Sequence, residues 1–231
     1  MLIDAKAFLH TARIAMESGD AATLAQAIGA RWHPLAICRL LRHRDADVRR
    51  VAAFTLGLVG NRAVVPPLTR ALRDPDAQVN EMAEYSLWSI WFRDCNPAAV
   101  KPFKEGLALL AVEAHDRAIS CFNASTTADP TFGEAYNQCA IAHFFLGQWS
   151  KALADGFRAV RYVPMHFGAI SGLGHCYTQM GQFAPALKCY RHALHIHPRL
   201  HGVRKAIERL ERKLRDANDA SGEFILENMP T

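Results

Sequence analysis

The stretch that decides the fold is ISGLGHCYTQMGQFAPALKCYRHALHIHP, residues 170–198. Its small residues, Gly174, Ala186 and Ala193, alternate with large apolar residues at helical spacing. Small residues let two antiparallel helices approach closely, while large ones fill the seam between them. Pro198 cannot continue a helix, so it marks the end of the second one. The stretch therefore predicts one pair of packed helices.

The same pattern recurs upstream with a spacing of 34 residues. The residues that keep this spacing are Pro130, Pro164 and Pro198; Ala118, Ala152 and Ala186; Gly147 and Gly181; and Ala159 and Ala193. This set resembles the tetratricopeptide (TPR) repeat, in which each unit is a helix pair. The resemblance implies three units, 99–132, 133–166 and 167–200, closed by a cap helix at about 200–216. Pro102 is expected in the first turn of its helix, where proline is tolerated.

A shorter repeat precedes the TPR units. The segment LLRHRDADVRRVAAFTLGLVG (40–60) aligns, after a shift of 31 residues, with ALRDPDAQVNEMAEYSLWSIW (71–91). Each segment predicts a helix, a short turn that carries aspartate, and a second helix, with Asp47 and Asp76 as N-caps. This pattern is similar to the HEAT-like repeat of phycobilin lyases and related scaffolds, over about residues 33–93.

These two periods predict an all-α fold, a right-handed α-solenoid in which HEAT-like units join TPR units. We expect residues 1–97 to hold N-terminal capping helices and the HEAT-like repeats. Residues 98–217 should hold three TPR repeats and the C-terminal cap helix, and residues 218–231 a flexible tail. The alternative for the segment 221–231 is docking in a groove of this molecule or of a neighbour, which would permit self-association.

Composition restricts the class of protein. The chain has 231 residues, a net charge of +5 and 50% hydrophobic residues, which is typical of a soluble folded protein. It has no continuous apolar stretch long enough to span a membrane, and its N-terminus has an acidic residue where a signal peptide has a basic one. We therefore expect a cytoplasmic protein without membrane partners, whose six cysteines form no CxxC motif and are reduced.

Histidines cluster at residues 190–201 and raise the question of a metal site. The four are His192, His195, His197 and His201. On a helical wheel His192 points away from Tyr190 and the packed seam, and no Cys, Asp or Glu of the stretch completes a ligand set. We therefore predict solvated helix ends, no metal site and no cofactor. His143 is predicted to be a core histidine with a hydrogen-bond partner.

Catalytic motifs are absent from the sequence. The chain has no GxSxG, Walker, HExxH or GxGxxG motif, so no catalytic residue is assigned and a non-enzymatic protein is expected. A weak resemblance links the basic, Trp-lined face of HEAT-type alkylpurine DNA glycosylases to Trp88, Trp91, Arg93 and Asp94. Aromatic packing at the HEAT–TPR junction is the favoured interpretation. A HEAT-type lyase acting on a tetrapyrrole is the remaining enzymatic alternative.

The concave face of the TPR array is the predicted partner-binding surface. In this family it is lined by residues of the first helix of each unit that lie outside the packing pattern. The residues assigned to it are Phe103, Leu107 and Leu110; Asn137, Gln138, Ile141, Phe144 and Phe145; Ser171, His175, Thr178 and Gln179; and Arg209 and Lys213. Such a groove suits a peptide that is apolar at one end and acidic at the other. The alternative for the first three residues is packing against the HEAT module.

We therefore predict an adaptor or scaffold that binds a peptide or protein partner, with no oligomeric state assigned. The lysine- and asparagine-rich clamp of chaperone-binding TPR proteins is absent. Its positions hold Phe103, Leu107, Gln138, Gly168 and Gly172. The alternative function is nucleic-acid binding by the basic cap helix and the HEAT arginines. These are Arg39, Arg42, Arg44, Arg49, Arg50, Arg70 and Arg73.

Overall fold

The structure, a computed structural model, describes residues 3–17 and 19–227, with side chains up to residue 216. The helices are α1 (Ala5–Glu17), α2 (Ala21–Gly29), α3 (Pro34–Ile37), α4 (Ala46–Val59), α5 (Val65–Ala71), α6 (Ala77–Arg93), α7 (Pro97–Ala111), α8 (His115–Ala128), α9 (Gly133–Phe145), α10 (Trp149–Tyr162), α11 (Phe167–Gln179), α12 (Phe183–Ile196) and α13 (His201–Glu227). Within the described ranges there is no β-strand. Successive helices pack as antiparallel pairs, which confirms the predicted α-solenoid.

Aspartates start the second helices of the two HEAT units. Asp45 caps α4 by accepting the backbone N–H of Asp47 at 2.9 Å. Asp76 caps α6 by accepting the backbone N–H groups of Gln78 and Val79. An aspartate at this position satisfies N–H groups that the first turn leaves unpaired. The N-cap predicted at Asp47 is wrong, because Asp45 is the residue that aligns with Asp76.

A nearly buried ion pair joins the two HEAT units. The Arg49 guanidinium donates to both carboxylate oxygens of Asp74, at 2.7 and 2.8 Å, and the two side chains are 12% and 9% exposed. The remaining terminal nitrogen of Arg49 donates to the carbonyl oxygens of His43 and Arg44. Burial raises the pKa of Asp74, but hydrogen bonds from Arg49 and from the Asp76 N–H outweigh it. The pKa therefore lies below its usual value.

The helix pairs α7–α8, α9–α10 and α11–α12 form the TPR array. The turn inside each pair contains a residue with left-handed backbone, and φ is 58° at Glu113, 70° at Gly147 and 71° at Gly181. Glycine adopts this conformation freely, whereas Glu113 carries a steric cost of about 1–2 kcal/mol. Helix α7 begins at Pro97, so Pro102 lies inside the helix and not in its first turn as predicted. One backbone N–H donor is missing there.

Helix α13 covers the last TPR unit. Val203 and Leu210 are buried in one apolar cluster with residues of α12, as a cap helix requires. The backbone of α13 continues to Glu227, into the stretch predicted to be a flexible tail. The side chains of residues 217–231 lie outside the described residues, and so does the predicted docking of segment 221–231.

The HEAT core continues into the third TPR unit. Buried residues of α6 share one apolar cluster with Phe167 at the start of α11 and Ile196 at the end of α12. The Trp91 indole stacks on the His166 ring with centroids 4.2 Å apart, and Trp88 meets Phe167 edge to face at 5.4 Å. The two tryptophans therefore fill the HEAT–TPR junction, which is the interpretation favoured from the sequence.

Candidate functional site

The first and third TPR units each pack an aromatic ring of the second helix onto a glycine of the first. Phe122 of α8 lies over Gly106 of α7, and Tyr190 of α12 lies over Gly174 of α11. A Cβ added to either glycine would lie only 2.5 Å from the ring. These rings fill the seam between the two helices of their units, because a small residue opposite allows close approach.

The second unit has no aromatic ring at this position; the Leu173 side chain of α11 lies against the glycine that stands there, and a cavity adjoins both. Gly156 of α10 and Ala140 of α9 occupy the positions 34 residues beyond Phe122 and Gly106. The cavity measures about 220 Å³ and lies between α9 and α11. We call it the apolar pocket. Its lining residues are Asn137, Ala140, Ile141, Phe144, Phe145, Ala152, Gly156, Gly168, Ala169, Gly172, Leu173, His175 and Cys176.

A smaller and more polar cavity of about 180 Å³ adjoins the apolar pocket, and Phe144 and His175 line both. We call it the polar end; its other lining residues are Thr178, Gln179, Tyr190, Gly202, Ala206, Arg209 and Leu210. The Tyr190 hydroxyl lies 2.8 Å from Nδ1 of His175 and 3.1 Å from Oγ1 of Thr178. Partial burial and then the positive charge of Arg209 lower the pKa of His175. His175 is therefore neutral at neutral pH.

Eight of the fourteen residues assigned to the concave face line one of these two cavities. They are Asn137, Ile141, Phe144, Phe145, His175, Thr178, Gln179 and Arg209. Of the two adjacent phenylalanines, Phe145 is the exposed one, with 63% of its surface accessible. Ser171 lines neither cavity and donates its hydroxyl to the Gly168 carbonyl. Lys213 also lines neither, and its Nζ lies 4.8 Å from the centre of the Phe183 ring.

The three residues assigned in the first unit pack in the core. Phe103 is buried among the rings of Phe92, Phe122 and Phe132. Leu107 and Leu110 are partly buried against the same cluster. Phe103 is therefore not available to a partner, which corrects its assignment to the concave face. Its contact with Phe92, at the end of α6, is the packing against the HEAT module that the alternative interpretation expected.

A buried carboxylate holds two further assigned residues. Glu134 is 0% exposed, and its Oε1 accepts from the side-chain amides of Asn137 at 3.1 Å and Gln138 at 2.6 Å. Its Oε2 lies 2.6 Å from Nε2 of His166. Because Nδ1 of His166 accepts the Ala169 N–H, the ring proton is on Nε2 and is donated to Glu134. The amides expected to bond a peptide therefore bond Glu134 instead, a residue that sequence reasoning missed.

Four of the seven HEAT arginines surround one cavity of about 450 Å³. They are Arg39, Arg42, Arg70 and Arg73, and all four are exposed. Among the side chains that the structure describes, none of these four lies within ion-pairing distance of a carboxylate. Arg49 and Arg50 instead form ion pairs inside the HEAT part. Arg44 is exposed and does not line this cavity.

The histidine-rich stretch divides between the surface and the core. His192 and His195 are exposed. His197 is buried, and its Nε2 lies 3.0 Å from Oε2 of Glu84 in α6. The hydrogen bond from His197 lowers the pKa of Glu84. Sequence reasoning missed this carboxylate because Glu84 lies in the HEAT part, far from the stretch along the chain.

Two protein families match separate parts of the chain. The HEAT repeats family matches residues 34–111, and the tetratricopeptide repeat family matches residues 169–200. The chain carries HEAT repeats followed by TPR repeats. The HEAT match includes α7, which the 34-residue spacing assigns to the first TPR unit, so the two repeat types overlap at this helix.

Known proteins similar to this HEAT–TPR chain include a TPR repeat-containing protein of Rhizobium etli. It is 26% identical over 176 residues, which cover 76% of this chain and 71% of that protein. The Sgt2 TPR domain from Aspergillus fumigatus is 24% identical with a TM-score of 0.52, covering 54% of this chain and 84% of its own. The first TPR of Spaghetti (RPAP3), bound to the HSP90 peptide SRMEEVD, is 22% identical with a TM-score of 0.50, covering 51% and 94%. These two structures support the fold alone.

No helix in the part of the chain that the structure describes combines the length and the apolar character needed to cross a bilayer.

Proposed function

We propose that this HEAT–TPR protein is a non-enzymatic adaptor that binds an extended segment of a partner protein between α9 and α11. The observation that carries the proposal is the apolar pocket. The aromatic ring that the first and third units carry at this seam position is replaced by Gly156 in the second, and the Leu173 side chain of α11 and the apolar pocket share the space beside it. In this proposal the partner supplies a ring, as an aromatic side chain that passes Phe144 and ends against Leu173 beside Gly156.

The polar end determines which residues suit the segment next to this anchor. Arg209 is the cationic residue among those that line it, and His175 is neutral. An acidic side chain one or two residues from the aromatic anchor would therefore face a positive charge. Since Asn137 and Gln138 already bond Glu134, recognition rests on the anchor and on this charge.

Burial of the anchor supplies enough free energy to dominate the interaction. Removing a large apolar side chain from water contributes about 1.5–3 kcal/mol, and aromatic residues in pockets are the usual hot spots of protein interfaces. The TPR of Spaghetti (RPAP3), which is similar in fold, was solved with an HSP90 peptide. In this chain Gly168 and Gly172 stand where chaperone-binding TPR proteins have residues of the carboxylate clamp. In our proposal the partner's aromatic side chain, not a terminal carboxylate, therefore makes the main contact.

The proposal is tested by selecting peptides from a displayed random library on the wild-type protein. We expect the enriched peptides to share one aromatic residue with an acidic neighbour. The double variant Ala140→Gly/Gly156→Phe introduces the ring and the glycine of the other units and fills the pocket, with a shift of the Leu173 side chain, whose Cδ2 would lie 2.7 Å from the new Cβ. It should weaken the selected peptides about 30-fold or more, which corresponds to the loss of one hot-spot residue.

Two control variants accompany this measurement. Ala140→Gly alone leaves the pocket open, at a stability cost of about 1 kcal/mol, and should retain binding. Phe157→Ala removes an exposed aromatic residue of α10 that lines neither cavity and should also retain it. Circular dichroism verifies that each variant is folded. Peptides that bind the double variant as tightly as the wild type would show that the site lies elsewhere.

Nucleic-acid binding by the HEAT part is a second candidate function. The observation that favours it is the set of four exposed arginines around one cavity, none of which pairs with a carboxylate among the described side chains. Affinity for a labelled oligonucleotide should then fall steeply with salt, because phosphate contacts release counterions. The variant Arg39→Gln/Arg70→Gln should reduce the slope of log affinity against log salt concentration by about two, because each lost phosphate contact reduces this slope by about one. Arg50→Gln, which removes an internally paired arginine, should change it little. Salt-independent binding would contradict this candidate.

A further inference from the structure

The seam between α9 and α10 holds metal-ligating side chains where the next TPR unit holds other residues. Cys139 and His143 lie one helical turn apart on α9, and Asp155 faces them from α10. The residues 34 positions further along the chain are Leu173, Tyr177 and Cys189. All three positions differ between the two units; at Cys139 and His143 the second unit has a zinc-ligand type where the third has Leu173 and Tyr177, and at the third position Asp155 replaces another ligand type, Cys189.

The donor atoms of the three side chains converge. Sγ of Cys139, a ring nitrogen of His143 and a carboxylate oxygen of Asp155 all lie within 4.8 Å of one another. Bonds of about 2.0–2.3 Å to a tetrahedral zinc ion place its ligand atoms roughly 3.3–3.8 Å apart. The distance of 3.7 Å between Nε2 of His143 and Oδ2 of Asp155 falls in that range.

Of the three converging atoms, Nε2 of His143 and Oδ2 of Asp155 are acceptors, whereas the Cys139 thiol donates toward Oδ1 of Asn123 at 3.8 Å and must release its proton when a metal binds. Nδ1 of His143 lies 2.8 Å from Oε1 of Gln148, so Nδ1 carries the ring proton and Nε2 presents a lone pair. This lone pair faces a carboxylate oxygen at a distance beyond that of a hydrogen bond. Two lone pairs at such a distance repel each other, and a cation between them would turn the repulsion into coordination.

The outer partners match those of metal sites. Ligating histidines usually donate their second ring N–H to an oxygen, and ligating carboxylates accept a further hydrogen bond. Gln148 provides the first partner. Arg158 provides the second, since its Nη1 donates at 3.0 Å to Oδ1 of Asp155 and leaves Oδ2 toward His143.

We propose that Cys139, His143 and Asp155 bind one Zn²⁺ ion, with water as the fourth ligand. Thiolate sulfur, imidazole nitrogen and carboxylate oxygen are the ligand types that zinc takes in proteins. The His143 and Asp155 side chains are 11% and 10% exposed, which leaves access for one water molecule. The bound ion fastens α9 to α10 directly behind the apolar pocket, whose floor includes Gly156.

The test is titration of metal-free protein with Co²⁺, followed by Zn²⁺. One equivalent of Co²⁺ should produce a thiolate-to-cobalt charge-transfer band, and Zn²⁺ should abolish it. The variants Cys139→Leu and His143→Tyr introduce the residues of the third unit at these positions, so both are expected to fold. Each should lose the band. Gln148→Ala should weaken metal affinity about 10- to 100-fold through loss of the outer partner.

Two control variants separate this site from other metal-binding groups. Cys176→Ala removes a buried cysteine of α11, and His192→Ala/His195→Ala removes the exposed histidine pair. Both should keep the band. Zinc should raise the melting temperature of the wild type and of both controls, but not that of the ligand variants. A wild type without the band, or a band that persists in Cys139→Leu, would overturn the proposal.

Discussion

Replacing Glu134 with alanine is expected to lower the free energy of unfolding by about 3–5 kcal/mol. The carboxylate is fully buried and accepts hydrogen bonds from His166, Asn137 and Gln138. Without it, three buried donors lose their acceptor, and each unpaired donor costs about 1–3 kcal/mol. Urea unfolding of wild type and variant, followed by circular dichroism, measures the difference.

Two further variants identify the cause of that loss. Glu134→Gln keeps the shape but offers a single acceptor oxygen, so its loss of stability should lie between those of the wild type and Glu134→Ala. Glu81→Ala removes an exposed glutamate of α6 and should change stability by no more than about 0.5 kcal/mol. If Glu134→Ala unfolds with nearly wild-type stability, the desolvation of the carboxylate cancels the benefit of its hydrogen bonds.

Replacing Asp74 with asparagine should destabilise the protein by about 3 kcal/mol at neutral pH, the lower end of the range for breaking a buried ion pair. Arg49 would then keep its bonds to backbone carbonyls but lose the carboxylate that balances its charge. The side chains are only 12% and 9% exposed, so water can replace that partner only in part. Urea unfolding at several pH values measures the effect.

The difference between wild type and Asp74→Asn should shrink in acid. The folded-state pKa of Asp74 is lowered, whereas the pKa of an unfolded aspartate is about 3.9. The ion pair therefore contributes fully above about pH 4, and its contribution is lost as the pH falls through the folded-state pKa. Asp47→Asn removes the partner of Arg50 in an exposed pair and should have little effect at any pH. A difference that is constant down to acidic pH would contradict this assignment.

The helical repeats were predictable because small and large residues recur at fixed spacing. The prolines at positions 130, 164 and 198 follow the ends of helices, as their spacing predicts. The N-cap of α4 was predicted two residues too late, at Asp47 and not at Asp45, because the repeat pattern alone does not distinguish two aspartates so close in sequence. The packing of α6 on the third TPR unit was not predictable, because no periodicity encodes a contact between Trp91 and His166.

The candidate site was predictable only in part. The register of α9 assigned Phe144 and Phe145 to the concave face; both line the apolar pocket, and Phe145 is the exposed one of the two. Glu134 was missed because a buried charge is stabilised by partners that only the fold brings together. The floor of the apolar pocket was missed for a different reason. Its signal is the lack of a ring at Gly156, which becomes visible only when this position is compared with Phe122 and Tyr190.

The shared core of α6, α11 and α12 has a consequence for the folding pathway. In an open repeat array each unit contacts only its neighbours, so folding can begin in any unit and spread along the chain. Here the contact of Trp91 with His166 encloses the first two TPR units in a loop. Closing that loop costs conformational entropy before its contacts form. The molecule should therefore fold more slowly than an open array of equal length, and its last TPR unit cannot unfold without exposing the HEAT core to water.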